Sequence, residues 1–295
     1  MEYIPAKTIV NPTKDSSWFG TAYTMNLYRG CCHGCIYCDS RSDCYHNPNF
    51  GQVMAKADAL RIVRDNLARK VRPAVVGTGS MSDPYNPFEE ELLLTRHSLE
   101  LLEAYGFGAA IATKSDLITR DTDVLVSIHR TMPVICKLTV TTCDAGLAEK
   151  LEPYAPSPQR RLAALEALSR AGLFTGVLLM PVLPFLEDSE ENIREVVNRA
   201  ADAGARFVYP ALGMTCRAGQ REYFYRQLEA QFPGQGLAAR YRKRYGNRYY
   251  CSSPKARVLW TVFEEECRRR GLLYSMSRIA AASRRGHENG QLSLF

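Results

Sequence analysis

The sequence predicts an α/β protein, a partial (β/α)6 barrel followed by a C-terminal helical extension. Over the first 215 residues, short apolar runs alternate with segments of helical periodicity, which favours parallel strands joined by right-handed crossovers. The apolar runs are nearly continuous, as is typical of a sheet covered by helices. Six such units fit an incomplete barrel better than a full eightfold one.

Each element follows from its local pattern. Strands are predicted at 23–28, 74–76, 107–112, 134–140, 176–183 and 206–212. Helices are predicted at 54–70, 89–105, 121–131, 159–171 and 189–203. Ser157 and Pro158 form an N-cap followed by proline at the first helical position, and Gly106, Gly172 and Gly204 follow three helices where a C-terminal glycine is common.

Beyond residue 215 we find helical segments only, at 219–231, 235–245, 255–270 and 274–285. We therefore expect three parts. Residues 1–215 form the barrel core, residues 216–290 form a basic helical extension packed on the core, and residues 291–295 form an exposed peptide.

Composition excludes some classes of protein and points to a partner. With 46% apolar residues, the chain is not a disordered tail protein. No uncharged apolar stretch approaches the roughly 18 residues of a membrane span, and the N-terminus does not resemble a secretory signal, so we expect a cytoplasmic protein. The net charge is +7, but residues 216–295 hold 16 Lys and Arg against 6 Asp and Glu. This local excess indicates a polyanionic partner.

The cysteines indicate a metal centre. The chain has ten cysteines, and Cys31, Cys35 and Cys38 have the spacing C-x3-C-x2-C, which can direct three thiolates at one centre. Structural zinc requires a fourth ligand, for which the candidates are Cys32, His33, Cys44 and His46. An iron-sulfur cluster on three cysteines instead leaves one iron open to a small molecule.

The segment 27–38 reads Leu-Tyr-Arg-Gly-Cys-Cys-His-Gly-Cys-Ile-Tyr-Cys. Following the first strand of a predicted partial barrel, it resembles the signature of the radical SAM superfamily. Within this superfamily, the chain is similar to the spore photoproduct lyase-like, or DNA repair photolyase-like, branch. This similarity extends from about Asn11 through the C-terminal helices. The resemblance implies a barrel of the radical SAM type, with a [4Fe-4S] cluster on Cys31, Cys35 and Cys38 and S-adenosylmethionine on the fourth iron. It also implies reductive cleavage to a 5′-deoxyadenosyl radical that abstracts hydrogen from the substrate, and an electron donor such as flavodoxin or ferredoxin.

The resemblance also implies where S-adenosylmethionine lies. Lys114 matches a lysine that contacts the methionine carboxylate, and either Thr139 or Thr141 matches a ribose-contacting serine. The loop after the second strand matches the positions that hold the methionine amino group and lie near the cofactor. Its residues are Gly77, Thr78, Gly79, Ser80, Ser82 and Asp83.

Two departures from spore photoproduct lyase concern the radical chemistry. That family carries a hydrogen-donor cysteine where this chain has Ser80, and a tyrosine relay of which Tyr37 is retained but the second position is Asp39. Serine donates hydrogen atoms poorly because its O–H bond is strong, so we expect a different substrate. The catalytic candidates are Tyr37 as a relay and Cys143 as an alternative hydrogen donor. Cys216 is a second donor candidate, Cys136 and Cys267 favour core packing, and Cys44 and Cys251 are unassigned.

Two C-terminal features indicate partners. Cations alternate with aromatic residues in the basic region 217–257, which suits nucleic acid, although Tyr241 and Tyr245 have the spacing of core residues. The final residues resemble the peptide with which bacterial repair proteins dock on the sliding clamp. They are Gln291, Leu292, Ser293, Leu294 and Phe295.

We therefore expect a radical SAM enzyme that acts on nucleic acid, in DNA repair or modification. One alternative is a radical SAM enzyme acting on a protein, peptide or small molecule. Another is a non-catalytic, metal-containing adaptor that binds nucleic acid and the sliding clamp.

Overall fold

The computed structural model describes residues 1–70, 72–79 and 81–287. Its strands are β1 (Glu2–Ile4), β2 (Val10–Pro12), β3 (Tyr23–Met25), β4 (Tyr28–Arg29), β5 (Met54–Lys56), β6 (Val75–Gly77), β7 (Gly108–Thr113), β8 (Val134–Thr139), β9 (Phe174–Leu179), β10 (Phe207–Pro210), β11 (Gly213–Thr215) and β12 (Tyr250–Ser252). Its helices are α1 (Ala59–Ala68), α2 (Glu89–Leu92), α3 (Leu94–Ala104), α4 (Thr122–His129), α5 (Ala145–Leu151), α6 (Pro158–Arg170), α7 (Glu190–Asp202), α8 (Gln220–Gln231), α9 (Leu237–Tyr245), α10 (Ala256–Arg270) and α11 (Met276–Ser283).

The main sheet has seven strands in the order β10-β9-β8-β7-β6-β3-β2. Strands β3 and β6 to β10 are parallel and lie side by side in chain order, while β2 is antiparallel to β3. Within the described residues β10 does not pair with β2 or β3, so the sheet is open on that side. Sequential parallel strands joined by helices confirm the predicted α/β fold class.

The two faces of the sheet pack against different partners. The outer face packs on the helices in a large core that includes Val76, Leu138 and Val177. The inner face packs around Phe19, from the β2–β3 loop, and Ile279 of α11.

Aromatic side chains close the open side of the sheet. The Phe19 ring lies 5.5 Å from the ring of Phe207, and the Trp18 ring lies 5.4 Å from the ring of Tyr209. Phe207 and Tyr209 belong to β10, so the β2–β3 loop fills the gap between the first and last parallel strands.

The chain after residue 215 contacts the core in separate places. Helices α8 and α9 pack beneath the cysteine segment in a hydrophobic cluster that contains Cys35 and Tyr37. Tyr241 and Tyr245 are buried in this cluster, which confirms their predicted core packing. Helix α10 packs on α7, where Arg194 and Glu266 form an ion pair of 2.6 Å.

Four predicted elements were wrong in part. The predicted helix 54–70 begins at Ala59, because Met54–Lys56 forms β5 between β1 and β4. The predicted helix 89–105 is broken at Leu93, whose φ is 52°. The extension is not purely helical, since it contains β12, which pairs with β11 at the end of the core. Strand pairing with distant residues decides the first and third cases, and helical spacing alone does not reveal such pairing. In the fourth case, the predicted strand 23–28 is two short strands, β3 and β4, in different sheets.

Two of the sequence predictions lie outside the described residues: the cofactor contact of Ser80 and the sliding-clamp peptide 291–295. Among the described residues, no helix is both long and apolar enough to span a bilayer.

Candidate active site

The cysteine segment follows β4 and is held by backbone contacts. Gly30 has φ +81°, and a Cβ there would lie 2.1 Å from the carbonyl oxygen of Gln52. The amide of Cys31 donates to the Phe50 carbonyl over 2.8 Å. Only glycine fits at position 30. It allows the sharp turn that comes directly before Cys31, the first predicted cluster ligand.

A cavity of about 430 Å³ opens beside the three cysteines and reaches into the inner face of the sheet. Such a volume is within the usual range of small-molecule sites. The lining residues come from the carboxyl ends of the parallel strands, where ligands of such sheets bind. The predicted site residues in the lining are Cys31, Cys35, Cys38, Gly77, Thr78, Gly79, Ser82, Asp83, Lys114 and Thr139.

The three cysteines of the motif line the same cavity. Among the residues that the structure describes, no group of three or more His, Cys, Asp or Glu side chains is placed to hold a metal ion. In a four-iron cluster each cysteine binds a different iron, so the thiolates stand further apart than the ligands of one ion. Three thiols on one cavity suit a cluster with three cysteine ligands and one open iron, which is the centre that the resemblance implies.

The loop after β6 brings backbone and hydroxyl groups to the cavity. The Thr78 hydroxyl is buried, and none of the described residues gives it a hydrogen-bond partner. The Ser82 hydroxyl donates to the Gly30 carbonyl over 2.6 Å, which joins this loop to the cysteine segment. A buried hydroxyl without a partner is costly, so Thr78 is suited to contact a bound ligand.

Gly79→Ala tests how tightly this loop is packed. Gly79 has φ +84°, and a Cβ there would lie 2.0 Å from the Ala112 carbonyl oxygen. Gly106 has φ +72° and open space around its Cβ position, so it is the matched control. We expect Gly106→Ala to destabilise the protein by about 1–2 kcal/mol, the conformational term alone, and Gly79→Ala by clearly more. Thermal unfolding of both variants measures this, and equal losses would contradict the packing argument.

Asp83 joins three segments around the cavity. Its carboxylate accepts hydrogen bonds from the Thr113 hydroxyl at 2.6 Å and from the Lys114 amide at 2.8 Å. It also faces the His33 ring, with Nδ1 to Oδ2 at 3.4 Å. Burial lowers the pKa of His33. Asp83 therefore fixes the ends of β6 and β7 against the cysteine segment.

A buried ion network positions Lys114. Glu152 pairs with Arg161 at 2.5 Å and with the Lys114 ammonium at 3.8 Å, and it accepts a hydrogen bond from the Tyr37 hydroxyl. Burial alone would raise the pKa of Glu152, but the charges of Arg161 and Lys114 outweigh burial and lower the pKa. Glu152 therefore stays ionised and holds the Lys114 ammonium at the wall of the cavity.

The remaining candidates lie away from the cavity lining. Thr141 is buried beyond the end of β8, so Thr139 is the member of that pair that faces the cavity. The Tyr37 ring packs in the cluster with α8 and α9, and Cys143 lies in the large outer core. The relay role of Tyr37 and the donor role of Cys143 stay predictions.

Several residues of the site were not found from the sequence. Glu152 and Arg161 lie outside any motif, and their partners are distant in the chain. Trp18 and Lys137 also line the cavity. Lys137 did leave a signal, because it is a charged residue within the apolar run 134–140.

Comparisons with known proteins agree on the family. The sequence profile of the radical SAM superfamily matches residues 25–200. An uncharacterised protein of Mycobacterium tuberculosis is 32% identical over 246 residues, covering 81% of this chain and 72% of that protein. An uncharacterised protein of Methanocaldococcus jannaschii is 32% identical over 196 residues, covering 65% and 71%.

Solved structures share the fold. A spore photoproduct lyase variant with dinucleoside spore photoproduct has a TM-score of 0.65 at 16% identity, covering 93% of this chain and 80% of that one. The radical S-adenosylmethionine methyltransferase TsrM of Kitasatospora setae, with tryptophan substrate and an S-adenosylmethionine analogue, has a TM-score of 0.57 at 12% identity, covering 91% and 59%.

Proposed function

The chain belongs to the radical SAM superfamily and is an enzyme of that class, and we propose that it acts on nucleic acid, in DNA repair or modification. We further propose that Cys31, Cys35 and Cys38 hold a [4Fe-4S] cluster whose open iron binds S-adenosylmethionine. When bound, the two together supply a 5′-deoxyadenosyl radical after reduction, for which flavodoxin or ferredoxin is the expected electron donor.

We assign different groups of S-adenosylmethionine to different residues of the cavity wall. Lys114, held by Glu152, is placed to pair with the methionine carboxylate. Thr78 offers a hydroxyl for a polar group of the ligand, and Gly79 lets the backbone approach closely. Thr139 lines the same wall one strand beyond Lys114 and is suited to the ribose.

A basic groove supports nucleic acid as the substrate. The groove, about 370 Å³ in volume, shares Phe50 with the cavity and so lies beside it, and its lining includes one acid, Asp43. The Arg41 guanidinium lies 5.1 Å from the Phe50 ring centre and 4.1 Å from that of Tyr223. His46 and Arg226 also line this groove. Cations beside aromatic faces suit a phosphate backbone with exposed bases.

Some of the C-terminal cations already form ion pairs within the protein. Arg217 pairs with Asp39 at 3.3 Å, and Arg242 pairs with Glu229 at 3.4 Å. Lys243, Arg244 and Arg248 are exposed and form no ion pair with the described residues. This surplus of exposed positive charge is the single observation that most favours a polyanionic substrate over a neutral small molecule.

This function is tested by an activity assay under anaerobic conditions. The reconstituted enzyme is reduced in the presence of S-adenosylmethionine, and 5′-deoxyadenosine is quantified with and without DNA at increasing salt. We expect DNA to increase product formation, and the increase to decline as salt rises, because phosphate contacts release counterions. An amount of 5′-deoxyadenosine that does not change when DNA or RNA is added would favour a protein, peptide or small-molecule substrate.

Removing charge from the basic groove gives a second test. We expect Arg41→Gln with Arg226→Gln to weaken DNA binding and to reduce the slope of log affinity against log salt by about 2, roughly 1 for each lost phosphate contact. Fluorescence anisotropy of a labelled oligonucleotide measures both quantities. The control is Arg170→Gln, an exposed arginine at the far end of α6 that pairs with Glu166. Equal affinity in all three proteins would exclude the groove as the DNA path.

A further inference from the structure

Lys137 is an unusual residue of the cavity because its charged end is buried. Only 2% of the residue is exposed, and it projects from the middle of β8 into the inner face of the sheet. Its ammonium has one hydrogen-bond acceptor in the described chain, the Ala110 carbonyl at a long 3.4 Å. The Nζ atom also lies 4.4 Å from the centre of the Phe19 ring.

This burial is unfavourable for the protein on its own. Lys137 forms no ion pair with a carboxylate of the described residues, in contrast to Lys114. Burial lowers the pKa of Lys137 to about 7, which reflects the cost of holding the charge there. A methionine would fill the same space without that cost, so the amine is better explained by a ligand than by packing.

The neighbours of Lys137 leave room for such a ligand. On the two adjacent strands its register partners are Ala112, which lines the cavity, and Gly176, whose open side is filled by the Phe207 ring, so the space beside Lys137 lies towards Ala112. The lining close by is apolar and includes Leu178 and Met180. Trp18 lines the same cavity and is 42% exposed, so it offers a ring at the rim.

We propose that Lys137 recognises the substrate by donating a hydrogen bond to a ring carbonyl of a nucleobase that enters the cavity past Trp18. The proposal rests on the proposed nucleic-acid function and specifies the group that is bound. A base taken out of its stack presents both a flat face and a polar edge. Trp18 supplies an aromatic surface for the face, and Lys137 supplies a donor for the edge.

A phosphate fits this end of the cavity less well than a carbonyl. A phosphate carries full charge and would have to leave water for a wall that includes Leu178 and Met180. The other basic residues of the described lining have other partners: Lys114 pairs with Glu152 and is proposed to bind the methionine carboxylate, and His33 faces Asp83. A neutral carbonyl oxygen needs only the single donor that Lys137 provides.

The experiment compares two single-stranded probes, oligo(dT) and oligo(dA), since thymine has ring carbonyls and adenine has none. Formation of 5′-deoxyadenosine is measured for the wild type, Lys137→Met, Lys137→Gln and the exposed-lysine control Lys14→Met. We expect the wild type and Lys14→Met to prefer oligo(dT) by about tenfold, the value of one charge-assisted hydrogen bond. Lys137→Met should lose this preference, and Lys137→Gln, which keeps an N–H donor, should keep part of it.

Thermal unfolding separates recognition from a structural role. We expect Lys137→Met to unfold at the same temperature as the wild type or higher, since an unpaired buried amine is removed. A clearly lower temperature, or an oligo(dT) preference that survives in Lys137→Met, would overturn the proposal. Both probes could instead stimulate the wild type equally, and Lys137→Met could reduce both stimulations equally. That result would overturn the proposal in favour of a phosphate contact. If neither probe nor duplex DNA stimulates the wild type, the proposed nucleic-acid function itself fails.

Discussion

Replacing Cys35 by alanine is expected to remove the iron-sulfur centre and, with it, all cleavage of S-adenosylmethionine. Cys35 is 8% exposed, lies between Cys31 and Cys38 in the motif and lines the cavity with them. A cluster with only two protein ligands has lost one of the three thiolates that hold it. Iron content, the visible absorption of the reconstituted protein and 5′-deoxyadenosine formation should all fall to background.

The matched control for this variant is Cys44→Ala. Cys44 is exposed and lies six residues after Cys38, but it is not part of the cavity lining. We expect this variant to keep both the iron and the activity. Retention of a cluster and of S-adenosylmethionine cleavage by Cys35→Ala would refute the assignment of the centre to these three cysteines.

Arg161→Met is expected to have the largest effect on stability among single changes outside the cysteine segment. Arg161 and Glu152 are 1% and 2% exposed, and they pair at 2.5 Å. Removing the arginine leaves the carboxylate buried with the more distant Lys114, which should destabilise the protein by about 3–5 kcal/mol. For a chain of this size, thermal unfolding should shift down by about 2–4 °C for each kcal/mol.

A double variant shows whether an unpaired charge causes this loss. Arg161→Met combined with Glu152→Gln removes both charges, so it should be more stable than Arg161→Met alone. The exposed Arg170 on the same helix gives the control Arg170→Met, whose effect should stay within about 0.5 kcal/mol. A double variant less stable than the single one would show that the pairing of Glu152 with Lys114, or packing around Arg161, outweighs the cost of the unpaired carboxylate.

The fold class and the cysteine motif were predictable because both are carried by short stretches of sequence. Apolar runs with helical segments between them predicted the parallel strands, and C-x3-C-x2-C marked the candidate metal segment within eight residues. Ser157 also formed the predicted N-cap of α6, accepting a hydrogen bond from the Arg160 amide. In each case the interacting residues are close in the chain, so local pattern was sufficient.

The rest of the site depends on contacts between distant residues. Tyr37 and Glu152 are 115 residues apart, and nothing near either residue in the sequence specifies the pairing. Strand β5 forms because β1 and β4 lie beside it, although its residues have helical spacing. Lys137 was detectable as a charge in an apolar run, but the direction of its side chain follows from the strand register.

The most direct test of the account is iron and sulfide analysis of the anaerobically reconstituted wild type, with electron paramagnetic resonance of the reduced protein before and after S-adenosylmethionine. We expect about four irons and four sulfides per chain, all dependent on Cys31, Cys35 and Cys38, and a spectrum that changes when S-adenosylmethionine binds the open iron. One zinc per chain, with no iron and no response to S-adenosylmethionine, would contradict the assignment and favour a metal-containing adaptor.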